Sequence, residues 1–339
     1  MSEAQPASAT ASVAAFARAR FGPQATVQLL AGDASDRRFY RLRIPGLSPL
    51  IVMAHKEPFE LESFPFFQIA RFLHGLGAPV PQIVASYPSE GMLVVQDLGD
   101  EMLQSHLQAI DADRRRFLYL QAVQMIAFLQ AEGTRALTPD LPATRTSLDR
   151  ERLLFELRFF AEHHIQGLLK SPLTPAQCAQ LDDWFVQLAT EVGSYRRVLC
   201  HRDFHARNLM VKGDRLFMVD FQDARMGPFT YDLASLVRDA YVSLPEELVS
   251  ELMDFYREAS GAPESPAAFV SAFNRTCLQR HLKAIGTFSS QVMLKGNRVY
   301  LPYIPRALAM VRANLSREAD GVPSEVVEMF AGPLDRVPA

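Results

Sequence analysis

The stretch "VLCHRDFHARNLMVKGDRLFMVDFQDA", residues 198 to 224, decides the fold. It starts as an apolar, strand-like run, breaks into two histidines, two arginines, an aspartate and an asparagine, and turns apolar again. Two apolar runs flank Lys212-Gly213-Asp214, the signature of a β-hairpin. Such a hairpin brings Asn208, before its first strand, beside Asp220, at the end of its second, with Asp203 a short way upstream. So much charge at the end of a buried strand needs a chemical reason.

The spacing supplies one. His201-Arg202-Asp203 with Asn208 fits H-R-D-x-x-x-x-N, and Asp220-Phe221-Gln222 stands where kinases carry D-F-G. Phosphoryl transfer from ATP needs a carboxylate to orient or accept the proton of the acceptor hydroxyl, and oxygen ligands to hold Mg²⁺ against the phosphates. Mg²⁺ keeps several waters and takes one or two protein ligands, so Asn208 and Asp220 suffice and Asp203 is left as the base. His201 and His205 also form H-x-x-x-H, which on a helix could bind zinc; the neighbouring aspartate, the second motif and the lack of a third ligand nearby favour a loop. A strand end capped by ion pairs would account for Asp203 and Arg202, but not for the coincidence of Asn208 and Asp220.

Upstream, "ATVQLLAG", "RRFYRLRI", "PLIVMA", "PQIVASY" and "GMLVVQDLG" read as five short strands, with one apolar-periodic helix from Phe64 to Leu76. Beyond Gly99, "RRRFLYLQAVQMIAFLQA", "DRERLLFELRFFAEHHIQGLLK" and "AQLDDWFVQLATEV" carry apolar residues at helical spacing, and the chain is helical again from Asp232. The runs "DRRR" (113–116) and "EHH" (162–164) read as solvated helix starts. The expectation is an α+β chain: a disordered tail over 1–12, a small lobe with an antiparallel sheet over 13–98, and a larger, mainly helical lobe over 99–339.

The 339 residues are 48% hydrophobic and 22% charged with a net charge of -3, which excludes disorder as a whole and gives no global pull toward nucleic acid or an acidic membrane. No apolar stretch approaches the roughly 20 residues that span a bilayer. The N-terminus carries its acid before its arginines, the reverse of a secretory signal, so a cytoplasmic location is expected. Cys178, Cys200 and Cys277, odd in number and widely spaced, read as reduced core thiols. Nothing indicates an obligatory protein partner.

"GDASDRRFYR" (32–41), "HRDFHARN", "VDFQDARMGPFTYDLASLVRD" and "LQRHLKAIGTF" (278–288) resemble the aminoglycoside phosphotransferase family, and within it the bacterial anomeric kinases for N-acetylmuramate and N-acetylglucosamine of cell-wall recycling. The likeness covers nearly the whole chain except the tail. It implies a two-lobed protein-kinase-like fold with ATP and Mg²⁺ bound between the lobes. The acceptor is then an amino sugar, phosphorylated at its anomeric hydroxyl to the sugar 1-phosphate. The resemblance makes Asp203 the catalytic base and Asn208 and Asp220 the metal ligands. It also assigns "LVVQDLGD" as the linker whose Gln96 C=O and Leu98 N–H bond the adenine edge, with Val95 bordering the adenine and Met53 on the third strand. A solvated turn is the alternative for Asp97, Asp100 and Glu101. Asp36, Asp223, Arg280, His281 and Lys283 are the expected acceptor contacts. Relatives act on antibiotics, choline and homoserine, so a kinase for another small alcohol or an aminoglycoside stays open, as does a catalytically idle nucleotide-binding relative.

Several departures bear on the phosphates. The first-lobe loop offers only Gly32, and the third strand, "LIVMAHKE", puts Met53 or Ala54 where kinases carry a lysine. The helix that follows lacks a clear glutamate partner. Phosphate contacts then fall to backbone N–H groups from Asp33 to Asp36, to Ser35, and to Arg37 or Arg38. Lys56 reads as a surface lysine. His205 stands two residues after the base, where protein kinases carry a phosphate-contacting lysine, and either does similar work or packs the loop. Finally, residues 275–312 contain seven Lys or Arg and no Asp or Glu, which favours an anionic sugar over a polycationic aminoglycoside.

Overall fold

The computed structural model describes residues 4–30, 37–170, 173–318 and 321–335. Two compact units organise the chain: residues 1–101 with 210–222, and residues 102–209 with 223–339.

The first unit is built on strands β1 (Thr26–Leu29), β2 (Arg38–Arg43), β3 (Leu50–Ala54), β4 (Ile83–Tyr87) and β5 (Met92–Gln96). They form one antiparallel sheet in the order β1-β2-β3-β5-β4, and all five fall on the runs read as strands. Alternation along the pleat puts Tyr40, Leu42, Val52, Ala54, Met92 and Val94 together, buried with Val13, Phe16 and Ala17 of helix α1 (Ala4–Phe21). Met53, Leu93, Ile51 and Val95, paired across β3 and β5, point to the opposite face. Helix α1 begins at Ala4, so the stretch expected as a tail is helical from there; it is rich in alanine, the best helix former, and its one proline sits in the first turn. Helix α2 (Pro65–Gly75) follows, with proline where a helix's first N–H would be unpaired in any case.

Four further strands come later: β6 (Arg197–Cys200), β7 (Leu209–Lys212), β8 (Arg215–Met218) and β9 (Arg225–Pro228). β7 and β8 form the expected hairpin, with Gly213 at φ +62° in its turn. The first unit ends at Glu101 rather than 98 and takes in residues 210–222 of this hairpin, which the sequence reading placed in the helical lobe. Local bonds explain the difference. Val211 N–H donates to Glu101 O, Lys212 Nζ to Asp97 O and Met218 N–H to Pro79 O, each at 2.8 Å.

The second unit is helical: α3 (Ala112–Phe128), α4 (Arg150–Phe160), α5 (Pro175–Ser194), α6 (Tyr231–Val237), α7 (Glu246–Ser260), α8 (Pro266–Lys295), α9 (Ile304–Arg317) and α10 (Ser324–Ala331). Caps set the starts. Asp111 accepts from Arg114 N–H and Asp149 from Arg152 N–H, while Thr174 and Gln177 form a reciprocal capping box. "DRRR" therefore does open a helix, but "EHH" does not. It lies in a π-helical continuation of α4, Ala161–Leu168, where His164 is buried with Nδ1 2.9 Å from Ser289 Oγ. Helix α8 crosses α4 at Gly286, where a Cβ would lie 2.8 Å from Phe160 Cα. Cys200 and Cys277 are core thiols as expected, whereas Cys178 is exposed. No helix among the described residues is long and apolar enough to cross a membrane.

Candidate active site

Strand β6 is apolar and buried, pairs with β9, and delivers the chain into the loop 201–208. Two buried carboxylates hold that loop through its own N–H groups. Asp232, in the first turn of α6, accepts from His201 N–H at 2.6 Å and Arg202 N–H at 3.0 Å. Asp239 accepts from Ala206 N–H at 3.0 Å and Tyr241 N–H at 2.7 Å. Burial pushes both carboxyls up, Asp239 to about 6. Arg202 sits at φ +83°, a left-handed conformation that side chains adopt at a cost and that concentrates at functional sites.

Asp203 follows that strained residue. Its Oδ1 accepts from Lys283 Nζ of α8 at 2.8 Å, a partly buried pair. Burial alone would raise this carboxyl, but the cations Lys283, Arg202 and Arg280 outweigh it and hold Asp203 well below the usual carboxylate range. Arg280 is buried, donates to Arg202 O at 2.9 Å and lies over the Tyr231 ring, 4.4 Å from its centroid. The Arg202 guanidinium stands 3.8 Å from Glu156 and 3.9 Å from Asp223, and Glu156 is buried beneath Gln279 and Arg152. Asn208 donates its Nδ2 to Asp203 O at 2.9 Å, which leaves its Oδ1 as an acceptor without a protein donor among the described residues. That arrangement suits a hard cation.

The acceptor contacts expected in α8 have other partners. Arg280 serves the Arg202 carbonyl and Tyr231, His281 Nε2 lies 2.9 Å from Arg238 O, and Lys283 serves Asp203. Arg275 is paired with Glu191 and Glu318 and Arg312 with Asp335, while Arg306 donates to the Val242 carbonyl, so with Lys283 three of the seven cations are matched to carboxylates elsewhere in the fold. Asp223 is held by Arg225 at 3.2 Å, with more than half its side chain exposed. His205 packs edge-on against Tyr241, and burial pushes its imidazole down to about 3.

In the first unit, Asp220 also adopts a left-handed conformation, φ +63°. Its half-exposed carboxylate accepts from Gln222 Nε2 at 2.8 Å and lies 3.5 Å from Arg37 Nη2. Phe221 is buried and stacks on Phe66 of α2, which anchors the motif to the helix. In the linker the Asp97 side chain is buried, while Asp100 and Glu101 are exposed as a solvated turn would have them. Arg41, buried in β2, grips Asp97 and Asp100 together, with N···O distances of 2.6 to 3.2 Å. Asp97 Oδ1 in turn accepts from Gly99 N–H. Gln96 N–H is taken by Gln82 O, while Leu98 N–H donates to no described residue. Met53, Val95 and Leu98 are buried, and Lys56 is exposed. Gly32, Asp33, Ser35 and Asp36 lie outside the described residues.

Sequence reasoning passed over Asp232, Asp239, Glu156 and Tyr231. In "TYDLASLVRD" two aspartates spaced by a helical segment carry no mark of what they hold. Among the described residues, no group of three or more His, Cys, Asp or Glu could hold a metal by itself.

Comparison with known proteins bears on this geometry. Residues 26–269 match the phosphotransferase enzyme family. An N-acetylmuramate/N-acetylglucosamine kinase of Neisseria meningitidis serogroup B is 31% identical over 299 residues, 86% of each chain. One of the same name from Pseudomonas aeruginosa is 32% identical over 303 residues, 88% of this chain and 86% of the relative. Among solved structures, a choline/ethanolamine kinase family protein from Mesorhizobium loti superposes with a TM-score of 0.62 at 15% identity, covering 97% of this chain and 99% of that one. ADP-bound aminoglycoside phosphotransferase APH(2'')-Ib gives 0.56 at 14% identity over 84% and 91%. These two likenesses speak for the kinase-like fold. The family match and the relatives' identity over most of the chain decide the rest: this chain belongs to the phosphotransferase enzyme family and is a kinase.

Proposed function

We propose that the enzyme uses ATP and Mg²⁺ to phosphorylate the anomeric hydroxyl of N-acetylmuramate, N-acetylglucosamine or both, giving the sugar 1-phosphate. The observation that carries this reading is Asp203: an ionised carboxylate on a strained loop, held by Lys283 and by two buried acids that fix the loop's backbone. The acceptor class comes from the relatives' names.

In this reading Asp203 takes the acceptor hydroxyl as a hydrogen-bond donor and aims its oxygen at the γ-phosphorus. A carboxylate held so far down is a weak base, which suits a loose transition state in which the proton leaves late. Asn208 Oδ1 and the Asp220 carboxylate are the protein oxygens offered to Mg²⁺, which when bound neutralises charge on the phosphates. Leu98 N–H and Gln96 C=O meet the adenine edge, with Val95 and Met53 as apolar wall, and Arg37 with the loop around Gly32, Asp33 and Ser35 serves the phosphates. Asp36 and Asp223 stay on the acceptor side of the assignment. The reading carries a cytoplasmic location and a small-molecule acceptor, with no required nucleic acid, membrane or protein partner.

Phosphorus NMR of the purified protein with ATP, Mg²⁺ and each sugar tests it. A new anomeric phosphate signal is expected. Nucleotide binding without turnover of either sugar, or faster turnover of an aminoglycoside or choline, would overturn the assignment.

A further inference from the structure

Part-buried arginines in this fold are generally matched to carboxylates: Arg41 to Asp97 and Asp100, Arg225 to Asp223, Arg238 to Glu246, Arg275 to Glu191 and Glu318. Others, Arg197, Arg280 and Arg306, donate to backbone carbonyls. Arg207 and Arg115 bond neither a carboxylate nor a carbonyl among the described residues, and residues that hold Arg207 line a pocket with Arg115. Arg207, on the catalytic loop four residues after Asp203, donates Nε to Gln104 Oε1 at 2.8 Å and Nη2 to Tyr303 Oη at 3.1 Å. Its guanidinium lies over the ring of Tyr241, 4.2 Å from the centroid, and 5.2 Å from that of Tyr303. No carboxylate pairs with it among the described residues. Gln104 and Tyr241 also line a pocket of about 220 Å³ whose wall includes Gln108 and Arg115. Arg115 was read from sequence as a solvated member of "DRRR", but it is partly buried, its Nε has no hydrogen-bond partner, and it too lacks a carboxylate among the described residues.

A guanidinium withdrawn from water without a counter-charge is unfavourable, and a ligand that brings the missing charge recovers the difference. Two glutamines, Tyr241 and Ser243, which can bond a sugar's hydroxyls, make up much of the remaining wall, and no acid lines it; Asp239 lies behind it, bonded to Tyr241 N–H and Ala206 N–H. The pocket also adjoins the chemistry. Tyr241 is in edge-on contact with His205, two residues from the proposed base. By contrast Arg280 and Lys283, the sequence's candidates for an anionic acceptor, already serve the loop.

We infer that Arg207, braced by Gln104, Tyr241 and Tyr303 and assisted by Arg115, recognises a carboxylate on the acceptor sugar, and so sets the preference for an acidic amino sugar over its neutral counterpart. This rests on the reading of the enzyme as an amino-sugar kinase and names the residues that choose between its two sugars. N-acetylmuramate carries a lactyl carboxylate that N-acetylglucosamine lacks, so the pair isolates the effect.

The experiment measures kcat/KM for both sugars in the wild-type enzyme and in Arg207→Gln, Arg207→Lys and Arg115→Gln, with thermal melting of each variant alongside. Losing a charge-assisted hydrogen bond in a desolvated site should lower the N-acetylmuramate to N-acetylglucosamine ratio by ~10- to 100-fold in Arg207→Gln, chiefly through KM. Arg207→Lys, which keeps the charge but not the fork, should recover part of the ratio. Arg115→Gln, remote in sequence from the catalytic loop, should move the ratio the same way and keeps the test valid if Arg207→Gln folds poorly. An unchanged ratio in both Gln variants, or a wild-type enzyme that accepts only N-acetylglucosamine, would overturn this inference and leave the kinase reading in place. A wild-type enzyme inactive on both sugars would instead overturn the acceptor assignment itself.

Discussion

Asp203, the base in the proposed mechanism, is placed by its neighbours. Lys283 keeps it charged, Arg280 holds the carbonyl of the residue before it, and Asn208 binds its own carbonyl, so both side chain and backbone are fixed before any substrate arrives. Asp203→Asn keeps the shape but loses the charge that orients the hydroxyl. kcat should fall by roughly 10²-fold or more with nucleotide binding retained, measured by steady-state kinetics and nucleotide titration. A near-normal kcat would remove Asp203 from the mechanism. Asp203, Asn208 and Asp220 could be read from sequence because their spacing is local and one hairpin carries it. Asp232 and Asp239 could not, since each acts across some thirty residues and a buried acid that accepts two N–H bonds looks in sequence like any other aspartate. Arg207 was hidden differently: that no carboxylate among the described residues pairs with it is something only packing reveals.

Among the elements, the five strands and the hairpin were legible because alternation and a Lys-Gly-Asp turn are short-range signals. Strand β9 was not, for "RMGP" mixes glycine and proline, both poor strand formers, and becomes a strand by pairing with β6. Helix α8 was legible as a helix, but its crossing with α4 was not. Gly286 stands three residues from Lys283 and leaves no room for a methyl group against the Phe160 backbone. An alanine in a helix is ordinarily favoured by about 1 kcal/mol over glycine. Here Gly286→Ala should destabilise by about 1–3 kcal/mol, because backbone cannot yield as a side chain does. Denaturant unfolding checks the sign, and a stabilised variant would mean the helices separate freely at this crossing.

At the scale of the molecule, buried titrating groups set the response to acid. Burial holds His164 and His281 near 4 and His205 near 3, against 6.5 when solvated, so these rings are neutral in the fold and charged in the unfolded chain between those values. Their contribution is present above pH 6.5 and is lost as pH falls toward 4. Asp239 opposes them, since its folded value of about 6 exceeds 3.8 and the fold then binds a proton that the unfolded chain does not. Near pH 5 the three histidines take up more protons on unfolding than Asp239 and Asp232, both raised by burial, release, so stability falls as the pH drops. Urea unfolding between pH 6.5 and 5 measures it. His164→Asn, which keeps a partner for Ser289, should lower the uptake by about one proton, and an unchanged slope would count against a neutral buried ring. The first unit's division along the chain has a consequence of another kind, in the time of synthesis. Its sheet is complete once residue 96 has been made, yet Phe66 awaits Phe221, and Glu101 and Pro79 await the N–H groups of Val211 and Met218. A ribosome adding about 5–20 residues per second needs roughly 6–24 s to cover the stretch between. During that interval the nascent lobe exposes an aromatic face and unpaired carbonyls, which makes it the stage of biogenesis at which a chaperone has the most to hold.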